Sequence, residues 1–499
     1  MVREQRSAAG FNEKINAMIP YIIRCAVFLY TIARRNRMNI DKLRAAYDDI
    51  PPDNGFYQCI DRWAAVYEGR PAWKSVKKAG LQANKGGTRQ LNMLNVGKVL
   101  CDELAHRVFA EQVEITAGNE IYDAYLTDFL DRQGFWRQMP RHLARAFAEG
   151  GMVIREYIDE GQVQLDYVEG RQFYPTQWNG KDITGGVFVT QTAKDGYYYT
   201  LYERHSFENG VTKVSHKLFR SGQEGRLGDE VPVDVLYDFD PAPETSVPLI
   251  QYYAPNIANN KDTALPLGIS CFANALDTLR SLDIAFDSLV REFILGRKRI
   301  IVPSSCIRTV VNPDTGAVEK YFDSDDEVYQ ALKCDEDKDL HIQDNTMELR
   351  VEEHSQGITA LLNILCFQCG LSAGTLSFEG SSGVKTATEI ISEENKTAIT
   401  MKNYKNLLAE TIQQTCTAVI ELAQATGEIP EGDFNIVIGF KDNIIIDDNQ
   451  LIENNINLVN AGLKSKVSAV MEVLKCDEET ARRELERIAE ESTIPMPMM

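Results

Sequence analysis

Hydrophobic residues recur with a helical period through residues 270–297. One apolar position repeats every seven residues and a second repeats beside it, at Phe272, Leu279, Phe286 and Phe293, and at Ala275, Leu282 and Leu289. Two apolar positions per heptad predict a helix that packs lengthwise against a neighbouring helix, with Ser270 as its cap. The polar positions between them predict a side that faces water, made up of Asp277, Arg280, Asp283, Asp287 and Arg291.

Before this helix, the period of the hydrophobic pattern changes once, from that of helices to that of β strands. Up to about residue 149 it is mainly helical, with helices predicted over residues 91–109 and 121–149. Over residues 150–253, alternating apolar and polar residues predict an antiparallel β meander, with hairpin turns at Glu160-Gly161 and Asn209-Gly210. Helices and antiparallel strands in separate runs predict an α+β fold.

A small acidic knob is predicted between two helices. Residues 299–303 predict a short strand, residues 322–353 hold 12 acidic and 3 basic residues, and the helical period returns over residues 352–370. A solvated charged surface accounts for much of this acidity. The other interpretation is a docking surface for a basic partner.

A Gly- and Ser-rich loop, residues 371–385, precedes the longest predicted helix. Its three glycines and small polar residues cannot pack a core. Thr386 and Glu389 then form a capping box, and the apolar pattern runs on to Gly427, which predicts a helix of about 40 residues. A strand is predicted over residues 434–440, followed by three short helices capped by Asp447 or Asp448, by Ser465 and by Asp477.

The amino-acid composition limits the classes of protein to which this chain can belong. The net charge of -20 argues against tight nonspecific wrapping of nucleic acid, which needs clustered Lys and Arg. Ten cysteines without a repeating framework, and no secretory signal, favour a reducing cytoplasm, and Cys366 and Cys369 are interpreted as buried core thiols. The apolar segment 19–33 contains Pro20 and Arg24 and is shorter than the ~20 residues of a membrane span, so it predicts a packing or interface helix.

No motif for catalysis is found in the sequence. The loop at residues 84–89 sets Gly86-Gly87-Thr88 beside a lysine, but the ordered spacing of a phosphate-binding loop is absent throughout the chain. No catalytic triad and no metal-ligand set is found, so neither enzyme activity nor a cofactor is predicted.

Three blocks of sequence carry a resemblance to a known family. The first is residues 266–270 with Leu282-Asp283 and Phe286-Asp287, and the second is Glu292-Phe293 with residues 298–303. The third and most specific is residues 370–375 followed by residues 385–390 and Ser392-Glu393. These blocks, and the order of elements, resemble the portal proteins of tailed bacteriophages, closest to the branch of siphophages and prophages of Gram-positive hosts.

The resemblance implies a division of the chain. Residues 1–265 would be the wing, 266–298 a stem helix, 299–351 the clip and 352–370 the return stem helix. Residues 371–385 would be the tunnel loop, 386–427 the long helix of the wing and 428–499 the crown. The clip and crown assignments rest on the order of elements alone.

The resemblance also implies a structural role. Portal proteins form a ring of about twelve copies at one capsid vertex, with closed cyclic symmetry. Double-stranded DNA enters through the ring during packaging, driven by terminase, and leaves at ejection; the other implied partners are the head-tail adaptor and the major capsid and scaffolding proteins, with no membrane. The expected location is the virion, and the host cytoplasm during assembly. The alternatives are another capsid-associated scaffold or adaptor and a cytosolic enzyme of unknown type.

Candidate site residues follow from this division. The resemblance places the tunnel loop against DNA, with the predicted contacts Ser372, Thr375, Ser377, Ser381, Ser382 and Lys385. The predicted channel side of the stem helix holds Asp277, Asp283, Asp287 and Arg291. The predicted docking residues of the clip are Asp323, Asp325, Asp326 and Glu327.

Overall fold

The computed structural model describes residues 47, 50–51, 55–77, 88–109, 113–180, 182–208, 210–237, 243–296, 300–301, 308–311, 318–321, 343–344, 348–377, 387–440, 448–474 and 477–492. The predicted helix over residues 19–33 and most of the acidic knob lie outside these residues. The described helices are α1 Phe56–Tyr67, α2 Val96–Phe109, α3 Glu120–Arg132, α4 Phe135–Glu149, α5 Leu276–Leu295, α6 Val351–Gln368, α7 Ala387–Thr426, α8 Asp448–Asn460, α9 Lys466–Leu474 and α10 Glu478–Ser492.

The strands complete an α+β fold, as predicted. They are β1 Ser75–Lys77, β2 Thr88–Gln90, β3 Val113–Thr116, β4 Met152–Asp159, β5 Gln162–Glu169, β6 Phe173–Asn179, β7 Asp182–Lys194, β8 Tyr197–Glu208, β9 Val211–Ser221, β10 Asp229–Val231, β11 Ile250–Tyr253, β12 Ile300–Ile301, β13 Arg308–Val311, β14 Val318–Tyr321, β15 Gln343–Asp344 and β16 Val437–Phe440. All described pairings are antiparallel.

The β region contains the predicted antiparallel meander, and its first strands form a separate sheet. Strands β6 to β10 form a five-stranded meander, whereas β4 lies between β5 and β11 in a three-stranded sheet. Met152, Val153 and Ile154 are all buried, and a continuous buried run is typical of a strand that is covered on both faces, as β4 is at the centre of its sheet. The predicted hairpins β4–β5 and β8–β9 are confirmed.

Two predicted helices have different limits in the structure. The predicted helix over residues 121–149 is two helices, α3 and α4, because Gly134 adopts a left-handed conformation with φ of 63° between them. Helix α2 begins at Val96 instead of residue 91, since Asn95 has a φ of 55°, which is incompatible with a right-handed helix.

The long helix α7 runs through the centre of the core. It spans 40 residues, about 60 Å at ~1.5 Å per residue, and Gly427 ends it with a φ of 79°. It packs against both α2 and α3 and against β4, β5, β11 and β16. Six of the predicted apolar positions are buried, namely Met401, Tyr404, Leu408, Ile412, Val419 and Leu422, and the burial of the other two, Ile390 and Ile391, is not among the described features.

Helix α5 begins later than predicted, and Ser270 does not cap it. Residues 270–275 form turns before the helix, and its N-terminal flanking residue, Ala275, makes no side-chain cap. The Ser270 hydroxyl donates to the Phe147 carbonyl at 3.3 Å, and the Cys271 amide donates to the same oxygen at 2.9 Å. These bonds fix the segment to the end of α4, so the contact with α4 overrides the local helical pattern.

The C-terminal helices begin where predicted. The Ser468 amide donates to the Ser465 hydroxyl at 3.0 Å, and the Thr480 amide donates to the Asp477 carboxylate at 3.3 Å. Gly462, with a φ of 72°, follows the end of α8. Cys366 and Cys369 are buried as expected. Across the described parts of the chain, every helix is too short or too polar to pass through a bilayer.

Candidate functional site

Helices α5 and α6 form an antiparallel pair that is fixed at both ends. Near one end, the Thr278 hydroxyl donates to the Gln368 side-chain oxygen at 2.8 Å. At the other end, the Arg350 guanidinium donates to both carboxylate oxygens of Glu292, at 3.1 and 3.2 Å. The start of α5 therefore lies beside the end of α6. The two contacts also determine which residues of the two helices lie at the same position along the axis of the pair, which we call their height.

The side of α5 that packs on the body carries two carboxylates. The Asp283 carboxylate accepts from the Trp73 indole nitrogen at 2.9 Å and from the Leu94 amide at 3.0 Å. The Asp287 carboxylate accepts two bonds from the Arg89 guanidinium, at 2.7 and 2.8 Å. Both aspartates are buried, so the prediction that they face water is wrong.

The two carboxylates differ in their electrostatic environment. Burial raises the pKa of Asp283 above its ordinary value, although the bonds from Trp73 and Leu94 act in the opposite direction. The bond from the Arg89 guanidinium lowers the pKa of Asp287, and the Asn92 amide adds to this effect. Asp287 is thus held as an anion in a charge-assisted pair, whereas Asp283 is a hydrogen-bond acceptor whose charge is disfavoured.

The other two predicted channel residues lie on a different side of α5. Asp277 is exposed and Arg291 is half-buried. Their distances along the helix place them on the same side as Ile284, whose side chain is 45 % exposed. A role of Asp277 and Arg291 in a channel stays a prediction.

The described part of the loop, residues 371–377, is bonded to α7. The Ser372 amide donates to the Thr397 hydroxyl at 2.8 Å, and the Thr397 amide donates to the Ser372 hydroxyl at 3.3 Å. The Thr375 hydroxyl donates to the Ser372 carbonyl at 2.8 Å, and the Thr400 hydroxyl donates to the Gly370 carbonyl at 2.7 Å. We call Ser372, Thr375, Thr397 and Thr400 the hydroxyl clasp.

The hydroxyl clasp changes what these loop residues can do. Ser372 is buried, and the described bonds of Ser372 and Thr375 are made within the chain. Ser377 is exposed. The predicted DNA contacts Ser381, Ser382 and Lys385 lie outside the described residues, as do the predicted docking residues Asp323, Asp325, Asp326 and Glu327.

Several residues of this site are not identified by the sequence analysis. Trp73, Arg89 and Asn92 hold the buried side of α5, and Thr397 holds the loop. Arg89 ends the polar loop that was examined as a phosphate site, but its partner is 198 positions away, and nothing in the local pattern indicates it. Among the described residues, no group of three or more His, Cys, Asp or Glu side chains is placed to hold a metal ion.

An α+β body joined to a helix pair with large exposed apolar side chains is typical of a subunit that assembles with further protein. The model of the family described as "Phage portal protein, SPP1 Gp6-like" matches residues 51–493, so the chain belongs to this family. No curated protein matches the sequence. The resemblance to portal proteins is confirmed, and the placement in a branch with Gram-positive hosts stays a prediction. Membership in the family implies a structural protein of the phage capsid vertex.

Proposed function

We propose that this chain forms a closed ring of about twelve copies, with cyclic symmetry, whose central channel passes double-stranded DNA during packaging and ejection. The observation that carries the proposal is the exposed apolar surface of the helix pair. Phe293, Ile294 and Phe367 are 50 %, 54 % and 75 % exposed in the single chain. Neighbouring copies would cover these side chains, and the burial of apolar area would stabilise the ring.

The proposal is tested by electron microscopy of the purified full-length chain, together with its sedimentation. We expect closed rings with a central hole, because a closed cyclic assembly covers the same faces in every copy and leaves no copy with an uncovered face. A monodisperse monomer or dimer, both in solution at micromolar concentration and in particles, would contradict the proposal.

The clip is proposed as the docking site for terminase and for the head-tail adaptor. Support comes from the acidity of residues 322–353, which suits a basic or mixed partner surface. Neutralising Asp323, Asp325, Asp326 and Glu327 together should slow association at low salt and leave the ring intact. An unchanged association rate at low salt would contradict this docking role.

The remaining roles in the proposal follow the order of the chain. Residues 371–385 form the constriction of the channel and residues 428–499 form the crown. The partners inside the capsid are the major capsid and scaffolding proteins. The chain is proposed to be present in the host cytoplasm while the particle assembles.

A further inference from the structure

Two exposed helix faces lie on the pair formed by α5 and α6. The face of α5 repeats at helical spacing through Asp277, Arg280, Ser281, Ile284, Ser288 and Arg291. The face of α6 repeats in the same way through Glu353, Gln356, Gly357, Ala360, Ile364 and Phe367. We call them the α5 face and the α6 face.

The α6 face is apolar over half of its length. Ile364 is 48 % exposed and Phe367 is 75 % exposed, and a side chain added at Gly357 would meet no atom within 4 Å in the single chain. The Lys396 ammonium of α7 lies 4.5 Å from the centre of the Phe367 ring and donates to the Phe367 carbonyl at 3.1 Å. The apolar end of the α6 face therefore carries one exposed positive charge.

The charges of the two faces are complementary at equal heights. The contacts Thr278–Gln368 and Arg350–Glu292 fix the register of the pair. Averaged over these two contacts, Asp277 lies level with Phe367 and its neighbour Lys396, and Arg291 lies level with Glu353. Either contact taken alone shifts the match by two residues, about 3 Å at ~1.5 Å per residue. An acid on the α5 face thus lies level with a base beside the α6 face at one end, and a base lies level with an acid at the other.

The middle of each face fits the other in shape and polarity. In the same register, Ile284 has the height of Ala360, so a large apolar side chain is level with a small one. Arg280 is level with Ile364, where its aliphatic stem can pack on the isoleucine while the guanidinium stays in water. A second copy of the chain therefore offers partners for the charges at both ends of each face and for Ile284 and Ile364 in the middle.

We propose that the α5 face of one copy packs on the α6 face of the next copy at the same height, with Arg291 opposite Glu353 and Asp277 opposite Lys396. This inference rests on the proposed ring, because rotation about an axis along the helix pair keeps every residue at its height. The contact is heterologous, so each copy uses both faces, and a rotation without a rise along the axis lets the arrangement close into a ring.

The test exchanges charges between copies. Arg291→Glu alone and Glu353→Arg alone each place like charges opposite one another at every interface, and we expect both to lose the ring peak in sedimentation. Mixing the two variants should restore rings, because alternating copies pair Glu with Arg at one interface and Arg with Glu at the next. Glu230→Arg, the same change at an exposed position of β10, should leave rings unchanged.

A second variant reports the contact directly. Ile284→Cys combined with Ala360→Cys should give, on oxidation with copper phenanthroline, a ladder of disulfide-linked multimers that the wild-type chain does not give. Failure of the mixture to restore rings, or links formed only within one chain, would overturn the inference while wild-type rings remain. Absence of wild-type rings would instead contradict the proposed function.

Discussion

Two aspartates one turn apart on α5 show how the environment of a side chain decides its role. Asp283 and Asp287 have the same chemistry and both are buried. Trp73 and a backbone amide bind Asp283, whereas a guanidinium binds Asp287. Both sets of bonds favour the charged carboxylate, but only the bond from the guanidinium outweighs the loss of hydration on burial.

Asp287→Asn should destabilise the unassembled chain by about 2 kcal/mol at pH 7, because a charge-assisted bidentate pair is lost. The pKa of Asp287 is lowered in the folded chain, so its contribution is present above the unfolded pKa of about 3.9 and is lost as the pH falls through the folded value. Urea denaturation at a series of pH values measures this difference between wild type and variant.

The control for that measurement is Asp229→Asn, at an exposed position of β10. It should change the free energy of unfolding by less than about 0.5 kcal/mol. A loss of stability in Asp287→Asn that persists unchanged at pH 2 would show that shape, not charge, holds the site.

The sequence could not assign these two aspartates. Polar residues between the apolar positions of a heptad ordinarily face water, and here they face a second layer of protein. The partners of Asp283 and Asp287 lie 189 to 210 positions earlier in the chain. A pattern that depends on neighbours within one helix carries no information about contacts at that separation.

At the scale of elements, the hydroxyl clasp joins the loop to the long helix. Ser372 and Thr397 exchange two hydrogen bonds, and Thr400 binds the Gly370 carbonyl. The Ser372 amide would lose its described hydrogen bond without the Thr397 hydroxyl. An unpaired polar group at a buried position costs about 1–3 kcal/mol. The clasp therefore fixes where the loop leaves α6.

Thr397→Val keeps the shape of the side chain but removes its hydroxyl. We expect faster hydrogen exchange at the Ser372 amide, by roughly tenfold for each 1.4 kcal/mol lost, as local opening becomes easier. Exchange along β4, which lies in the core, should stay unchanged. Hydrogen exchange followed by mass spectrometry measures both segments.

Thr417→Val is the matched control for this change. Its hydroxyl donates to the Gln413 carbonyl at 2.9 Å within the same helix, at an exposed position. It should not alter exchange in residues 371–377. Equal exchange in both variants would mean that the clasp does not hold the loop.

The limits of a helix are predicted most accurately where capping or glycine residues in the local sequence mark its ends. Helix α7 begins at Ala387, one residue after the predicted cap Thr386, and ends one residue before Gly427, because the sequence there has a capping-box pattern at the start and a glycine that adopts a left-handed conformation at the end. Helix α5 has an equally clear apolar period, but its start is set by bonds to Phe147 on another helix. Local pattern predicts a helix, and tertiary contacts decide where it begins.

At the scale of the whole molecule, net charge determines whether the proposed ring attracts or repels the phosphates of DNA. Each chain carries a net charge of -20, which a ring multiplies, so its surface on average repels phosphate. Lys385 adds one positive charge per copy to a loop with a single acid, Glu379. Repeated around the proposed ring, that charge would form a weak positive collar in an otherwise acidic assembly.

Lys385→Glu should leave ring assembly and procapsid formation intact but reduce the DNA packaged per particle, because the collar becomes repulsive. Lys194→Glu, an equal charge change at an exposed position of β7, serves as the control. The DNA content of purified particles is the measurement. If Lys385→Glu particles package the normal amount of DNA, the loop does not contact DNA and acts only as a linker between two helices.

Helix α7 connects the body of the protein with the loop. The segment from Met401 to its C-terminal end is embedded in the body, while its first turns follow the loop directly. Over the about 20 Å from Ala387 to Met401, a tilt of about ten degrees relative to the embedded segment displaces the first residue of α7 by roughly 4 Å. A change in the packing of the two sheets that tilts α7 therefore also moves the start of the helix, and a force on the loop acts on the sheets through the same helix.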